Sequence, residues 1–207
     1  MSTAHNTRLN SFLKGLDSQP ISPTRKKTLQ KLARSVQEKL HHKEHVCLLF
    51  ICTHNSRRSI FSQVWAQVIA QHFNLSQIQC YSGGTSTTSV FPLVIDTLKN
   101  QGLEFQKMSQ GNNPLYAIKR DPHSAPIIAF SKSYNHFFNP SDQFIAVMTC
   151  GEADSSCPSV VGAEMRIALA YEDPKVSDQS EEQDLVYRAR SLQIASELWY
   201  MFSIIDN

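Results

Sequence analysis

Val46-Cys47-Leu48-Leu49-Phe50-Ile51-Cys52-Thr53-His54-Asn55-Ser56-Arg57-Arg58-Ser59 decides how the chain is read. The unbroken apolar run from Val46 to Ile51 is the pattern of a buried strand. Polar residues follow at once. Ile60, Phe61, Val64, Trp65, Val68 and Ile69 then recur at helical spacing toward an end near Phe73. Cys52 therefore stands where a strand hands the chain to a helix N-terminus, with five residues between it and Arg58. A loop that short can curl round one tetrahedral oxyanion with its N–H groups turned inward. The helix dipole adds positive potential, and so does Arg58, whose guanidinium can grip two oxygens. Such potential favours the thiolate, the reactive form of cysteine, and Ser59 is placed to hold it through its hydroxyl. On spacing alone, a buried structural cysteine ahead of an ordinary helix fits equally well.

The rest of the chain bounds the setting. Its 207 residues are 41% hydrophobic and 18% charged, the balance of a soluble globular domain. A formal charge of +2 argues for neither nucleic acid nor a membrane surface. No apolar run is long enough to span a bilayer, and the polar start from Met1 to Asn10 lacks a secretory core. Five cysteines (Cys47, Cys52, Cys80, Cys150 and Cys157) are an odd number for a secreted disulfide framework. The expected compartment is therefore a reducing cytoplasm. No Cys-x2-Cys pair appears, and neither a metal nor a cofactor is expected.

Residues 1–44 read as a helical extension preceding the domain at 45–207. Ser22-Pro23 offers an N-cap and a first-turn proline. Leu29, Leu32, Ala33, Val36 and Leu40 form one apolar stripe, and a short helix from Asn10 to Leu16 is expected before it. Arg25-Lys26-Lys27 reads as a solvated face. A second strand, Ile78 to Ser82, ends at Gly83-Gly84. The helix carrying Phe91, Val94, Ile95 and Leu98 stops at Gly102. Residues 106–143, with four prolines, read as a largely irregular insertion with one apolar piece from Pro126 to Phe130. Strands are expected at Phe144–Thr149 and Arg166–Ala170, and a closing helix from Glu181 to Ile205. Strands alternating with helices predict an α/β fold: a mainly parallel four-stranded sheet with helices on both faces.

Cys-Thr-His-Asn-Ser-Arg-Arg-Ser, with a strand before it and a helix after it, resembles the anion loop of low-molecular-weight protein tyrosine phosphatases. It also resembles that of their relatives, the thioredoxin-coupled arsenate reductases, the branch that the sequence as a whole resembles most. Ser82-Gly83-Gly84-Thr85 is similar to the family's second segment. The resemblance covers roughly Val46 to Phe202. It implies a low-molecular-weight phosphatase-like fold and a cradle of Thr53, His54, Asn55, Ser56, Arg57, Arg58 and Ser59 around a tetrahedral oxyanion. It also implies Cys52 as nucleophile, Arg58 as clamp and, from Asp173-Pro174, Asp173 as the acid that protonates the leaving oxygen. Asp-Pro by itself is also a common turn starter.

Thr149-Cys150-Gly151-Glu152-Ala153-Asp154-Ser155-Ser156-Cys157-Pro158 is similar to the redox loop of the arsenate reductases. By itself the cysteine pair fits small buried residues as well. The resemblance implies that Cys52 forms an arsenate adduct, that Cys150 attacks it to release arsenite, and that Cys157 passes the disulfide to a thioredoxin-like reductant. Phosphomonoester hydrolysis through a Cys52 thiophosphate needs neither Cys150 nor Cys157. A non-catalytic oxyanion-binding or redox-sensing protein would need neither them nor Asp173 beside the loop. Three features depart from the family: His54 replaces a common glycine, Arg57 replaces a common second loop cysteine, and the 106–143 connection is long.

Overall fold

The computed structural model of the chain describes residues 2–42, 45–156 and 159–206. At its centre is β1 (Val46–Cys52), which lies between β2 (Ile78–Gly84) and β6 (Phe144–Met148), with β7 (Ala163–Ala168) at the far edge. All three pairings in this sheet are parallel. Burial on both faces explains the continuous apolar runs of β1 and β6. Val46, Leu48 and Phe50 point into the larger core, whereas Cys47, Leu49 and Ile51 point into a smaller one. Ile145 and Val147 alternate with Phe144, Ala146 and Met148 in the same way.

The larger core is covered by α3 (Arg58–His72), α4 (Pro92–Asn100) and α6 (Gln183–Ser203), and the smaller one by the six-residue α5 (Gly151–Ser156). Two helices precede the sheet, α1 (Ser2–Lys14) and α2 (Pro23–His41), so the first runs further toward the N-terminus than the expected Asn10–Leu16. Ser22 caps α2 by accepting a hydrogen bond from the Arg25 N–H at 3.3 Å. Leu9, Leu13, Leu29, Leu32 and Val36 of these helices share the core of β1, α3 and α6. Phe12 stacks on Trp65 with ring centroids 4.7 Å apart. At the end of α4, Gly102 has φ +105°, and a Cβ there would lie 2.5 Å from the Leu9 backbone. That glycine ends one helix and makes room for another.

The 106–143 stretch is irregular over most of its length, but it also carries most of a small antiparallel sheet of β3 (Glu104–Lys107), β4 (Tyr116–Lys119) and β5 (Ile127–Ala129). These strands are three or four residues long, too short to show a periodicity. The chain then returns along the end of β2. There the Gly84 N–H donates to the Lys132 carbonyl at 2.8 Å, and the Tyr134 N–H donates to the Gly84 carbonyl at 2.9 Å.

Lys132, on this returning segment, is only 1% exposed. Its Nζ contacts the Ser82 hydroxyl and the Phe130 carbonyl at 3.5 and 3.4 Å and lies 4.5 Å from the Phe130 ring centroid. Burial pushes its amine down to about 7. Between that value and the ordinary lysine range near pH 10, the unfolded chain binds a proton that the folded chain does not. Stability therefore rises with pH across this window and levels off below about 7. Urea denaturation of wild type and Lys132→Met between pH 6.5 and 9.5 checks this. Above pH 7 the wild type should gain on the variant by about 1.4 kcal/mol per pH unit.

Candidate active site

Cys52 ends β1 at the carboxyl edge of the sheet, between a neighbour reached early in the chain and one reached late. This is the switch point at which open α/β sheets hold their ligands. Residues 53–57 turn here before α3 opens at Arg58. Neighbouring segments pull the loop's carbonyls outward. The Cys52 carbonyl accepts from Thr85 N–H, that of Thr53 from Ser86 N–H, and that of Ser56 from Phe91 N–H. The His54 carbonyl accepts from the Ser131 hydroxyl at 2.9 Å. The N–H groups of His54, Asn55, Ser56 and Arg57 donate to no acceptor among the described residues. With the carbonyls turned away, these donors make an anion cradle.

Asn55 sets the loop's shape. It is fully buried, at φ 47°, in the left-handed region where asparagine is tolerated. Its Oδ1 accepts from the Lys132 N–H at 3.0 Å, and its Nδ2 donates to Ser59 Oγ at 2.8 Å. Ser59 Oγ lies 3.0 Å from Cys52 Sγ. Because the Ser59 oxygen already accepts from Asn55, its hydrogen is free to point at the sulfur. His54 does not need the freedom of glycine, since Asn55 carries the loop's positive φ. The small residue the loop requires is Gly84, where a Cβ would lie 2.8 Å from the Thr53 carbonyl.

The adjacent arginines diverge. Arg58, nearly buried, donates from Nη2 to Asp173 Oδ2 at 2.5 Å and from Nη1 to the Tyr171 carbonyl at 3.2 Å, while its Nε has no partner among the described residues. Asp173 is thus held beside the first residue of α3 by Arg58. It also caps the turn Pro174–Ser177 by accepting from Lys175 N–H at 3.1 Å. Arg57 turns away from the cradle. It pairs with Asp178 at 2.6 Å, donates to the Tyr187 hydroxyl at 2.5 Å and lies 4.0 Å from the Phe91 ring centroid. Burial, and the Asp178 carboxylate that accepts its proton, push the Tyr187 hydroxyl above its ordinary range. Asp178, Tyr187, Ser131 and Lys132 were not legible as site residues, because each gains its place through tertiary contact and carries no motif.

Cys150 comes two residues after the end of β6. Register pairs Ile51 with Met148, and the Thr149 N–H donates to the Ile51 carbonyl at 2.7 Å, so Cys150 lies one step beyond the neighbour of Cys52. Both cysteines are free and belong to one apolar cluster. Cys150 Sγ is buried, 3.4 Å from the Thr53 hydroxyl, and accepts from Ala153 N–H at 3.3 Å. Cys157 lies outside the described residues. Among the described residues, no cluster of His, Cys, Asp and Glu could hold a metal, and no helix is long and apolar enough to cross a membrane.

Residues 47–117 match the family described as low molecular weight phosphotyrosine protein phosphatase. An arsenate reductase of Staphylococcus aureus (strain Newman) is 28% identical over 135 residues, covering 65% of this chain and 82% of that protein. The fold is similar to that of an arsenate reductase in the phosphate binding state. That likeness has a TM-score of 0.50 at 19% identity and covers 78% of this chain and 99% of the other. It is also similar to a low molecular weight phosphotyrosine phosphatase of Vibrio cholerae, with a TM-score of 0.52 at 14% identity, covering 76% and 95%.

The divergence of the two arginines predicts separable effects. Arg58→Lys should keep the fold but lose most turnover, since a point charge cannot reproduce a planar two-oxygen grip. Arg57→Ala should lower stability by about 1–3 kcal/mol by stranding Asp178 in a partly buried setting. Denaturation midpoints and steady-state kinetics on the two variants check this assignment, and the reverse pattern would exchange their roles.

Proposed function

We propose that the chain is a cysteine-dependent oxyanion enzyme of the low-molecular-weight phosphotyrosine phosphatase superfamily, to whose model residues 47–117 are similar, and that it reduces arsenate to arsenite. The observation that carries this reading is the placement of Cys150: a free, buried thiol, one register step from Cys52, touching the anion loop through Thr53. Hydrolysis of a phosphomonoester has no use for a second thiol there. Reduction of As(V) needs two electrons, and sulfur supplies them.

In the proposed cycle arsenate displaces solvent from the inward N–H groups of the loop, and Arg58 grips two of its oxygens. The Cys52 thiolate, held by Ser59, attacks arsenic, and Asp173 protonates the departing oxygen. Arsenate competes with Asp173 for the Arg58 guanidinium, which releases the carboxyl group from its ion pair as the acid is needed. The Cys150 thiolate then attacks Cys52 Sγ. The sulfur–sulfur bond forms, the sulfur–arsenic bond breaks with its electron pair left on arsenic, and arsenite departs. Cys157 resolves the Cys52–Cys150 disulfide and presents its own to a thioredoxin-like dithiol in a reducing cytoplasm. We further propose that residues 1–44 form an extension to the catalytic domain at 45–207.

The second reading, hydrolysis of phosphotyrosine or another phosphomonoester, is favoured by Asp173 itself. An acid beside the cradle is most needed where the leaving group is an alkoxide or phenolate. Cys150→Ser separates the two. It should stop arsenate turnover while largely sparing any hydrolysis of an aryl phosphate, and wild-type protein treated with arsenate should yield Cys52–Cys150 or Cys150–Cys157 disulfides by mass spectrometry. If arsenate leaves every thiol free while aryl phosphate is hydrolysed, phosphatase activity takes the place of reduction.

A further inference from the structure

Cys150 must lose a proton before it can attack, and its sulfur is sealed from water at 0% exposure. Two polar contacts reach that sulfur. Ala153 N–H, at 3.3 Å, is a donor and takes no proton. The other is the Thr53 hydroxyl at 3.4 Å. The same hydroxyl donates to Glu152 Oε2 at 2.9 Å. An ionised carboxylate only accepts, so the hydroxyl hydrogen points at Glu152 and the hydroxyl oxygen presents a lone pair to the sulfur. The thiol is therefore the donor in the Cys150–Thr53 contact. Glu152 is itself exposed, so the buried thiol, the hydroxyl and the carboxylate form a line from the protein interior to water.

We propose that Glu152 is the proton acceptor for Cys150, reached through the hydroxyl of Thr53. The proposal rests on the reading of Cys150 as the resolving thiol. The Thr53 oxygen takes the proton from Cys150 Sγ as its own proton passes to Glu152 Oε2. The hydroxyl then donates to the thiolate it has just formed, alongside Ala153 N–H. The freed electron pair makes the bond to Cys52 Sγ, and the sulfur–arsenic bond breaks. Two thiols are oxidised to a disulfide, and arsenic falls from As(V) to As(III). Glu152 afterwards releases its proton to water. Glu152 touches no reacting atom; it acts through Thr53 and is a positioning residue.

Rapid-quench mass spectrometry of Cys52–Cys150 disulfide formation in the full chain tests the relay. Wild type, Glu152→Gln, Glu152→Asp, Thr53→Val and the Glu152→Gln/Thr53→Val double variant are compared from pH 6 to 9, after a single addition of arsenate. At pH 7, Glu152→Gln should be slower by roughly 10- to 100-fold. Its rate should climb with pH as hydroxide takes over. Glu152→Asp should recover most of the loss, and the double variant should be no slower than Thr53→Val alone, since the two groups act in one line. A merely structural Glu152 would show neither the altered pH profile nor the recovery. A second series replaces arsenate with hydrogen peroxide, which converts Cys52 to a sulfenic acid that condenses with the Cys150 thiol to give the disulfide and water. If only peroxide yields a disulfide in wild type, the arsenate reading fails and the peroxide series alone decides the relay. The proposal is overturned by a wild-type rate and pH profile in Glu152→Gln, by losses that multiply in the double variant, or by a wild type that forms no Cys52–Cys150 disulfide with either reagent.

Discussion

The structure depends on where the backbone carbonyls of Cys52, Thr53, His54 and Ser56 find their donors. A loop that folds its N–H groups inward must send its carbonyls outward, and buried carbonyls need partners. The partners come from three separate stretches: Thr85 and Ser86 after β2, Phe91 at the start of α4, and Ser131 from the insertion. The cradle is therefore not a local property of eight residues. It exists because a parallel sheet brings the end of β2 alongside the end of β1, and because Ser131 and Lys132 close the remaining side.

Asn55 joins these levels. Its carboxamide oxygen is held by the Lys132 backbone and its carboxamide nitrogen by Ser59, so Lys132 and Cys52, which Ser59 touches, share a single link. The insertion packs behind the cradle, with Ser131 and Lys132 in the first contacts of the loop. The buried Lys132 side chain follows from this: its backbone is needed at the loop, and its amine is left among Phe130, Phe138 and Ser82. No carboxylate pairs with it among the described residues.

Three strands of the main sheet were legible because each carries a signal that no tertiary contact is needed to interpret, whereas β7, largely part-exposed, begins three residues before the expected Arg166. β1 and β6 are apolar throughout, and β2 stops at two glycines. The anion loop was legible for a different reason: it compresses an anion cradle into one short stretch. What escaped notice are features built from length too short or contacts too distant. The three strands of the insertion bury few side chains each, and α5 is a six-residue helix in a stretch read as loop. Arg57 shows the limit most clearly. Its neighbour carries the family spacing, and nothing in the chain before residue 178 indicates that Arg57 will meet an aspartate there.

Arg25 was expected on a solvated face, yet it pairs with Glu197 at 2.7 Å and lies 4.5 Å from the Tyr171 ring centroid. That contact changes what the N-terminal helices do. Tyr171 lends its carbonyl to Arg58 and its N–H to the Thr149 carbonyl, beside Cys150. Three arginines, two of them adjacent in the chain, thus hold one segment: Arg25 at the Tyr171 ring, Arg58 at the Tyr171 carbonyl and Asp173, and Arg57 at Asp178. A segment fixed at both ends and in the middle can release Asp173 from Arg58 without losing its place, because Arg25 and Arg57 keep hold of the residues on either side. Exchange of the Arg58 partner between a carboxylate and an oxyanion is then a local event, and the N-terminal helices supply one of the two anchors that keep it local.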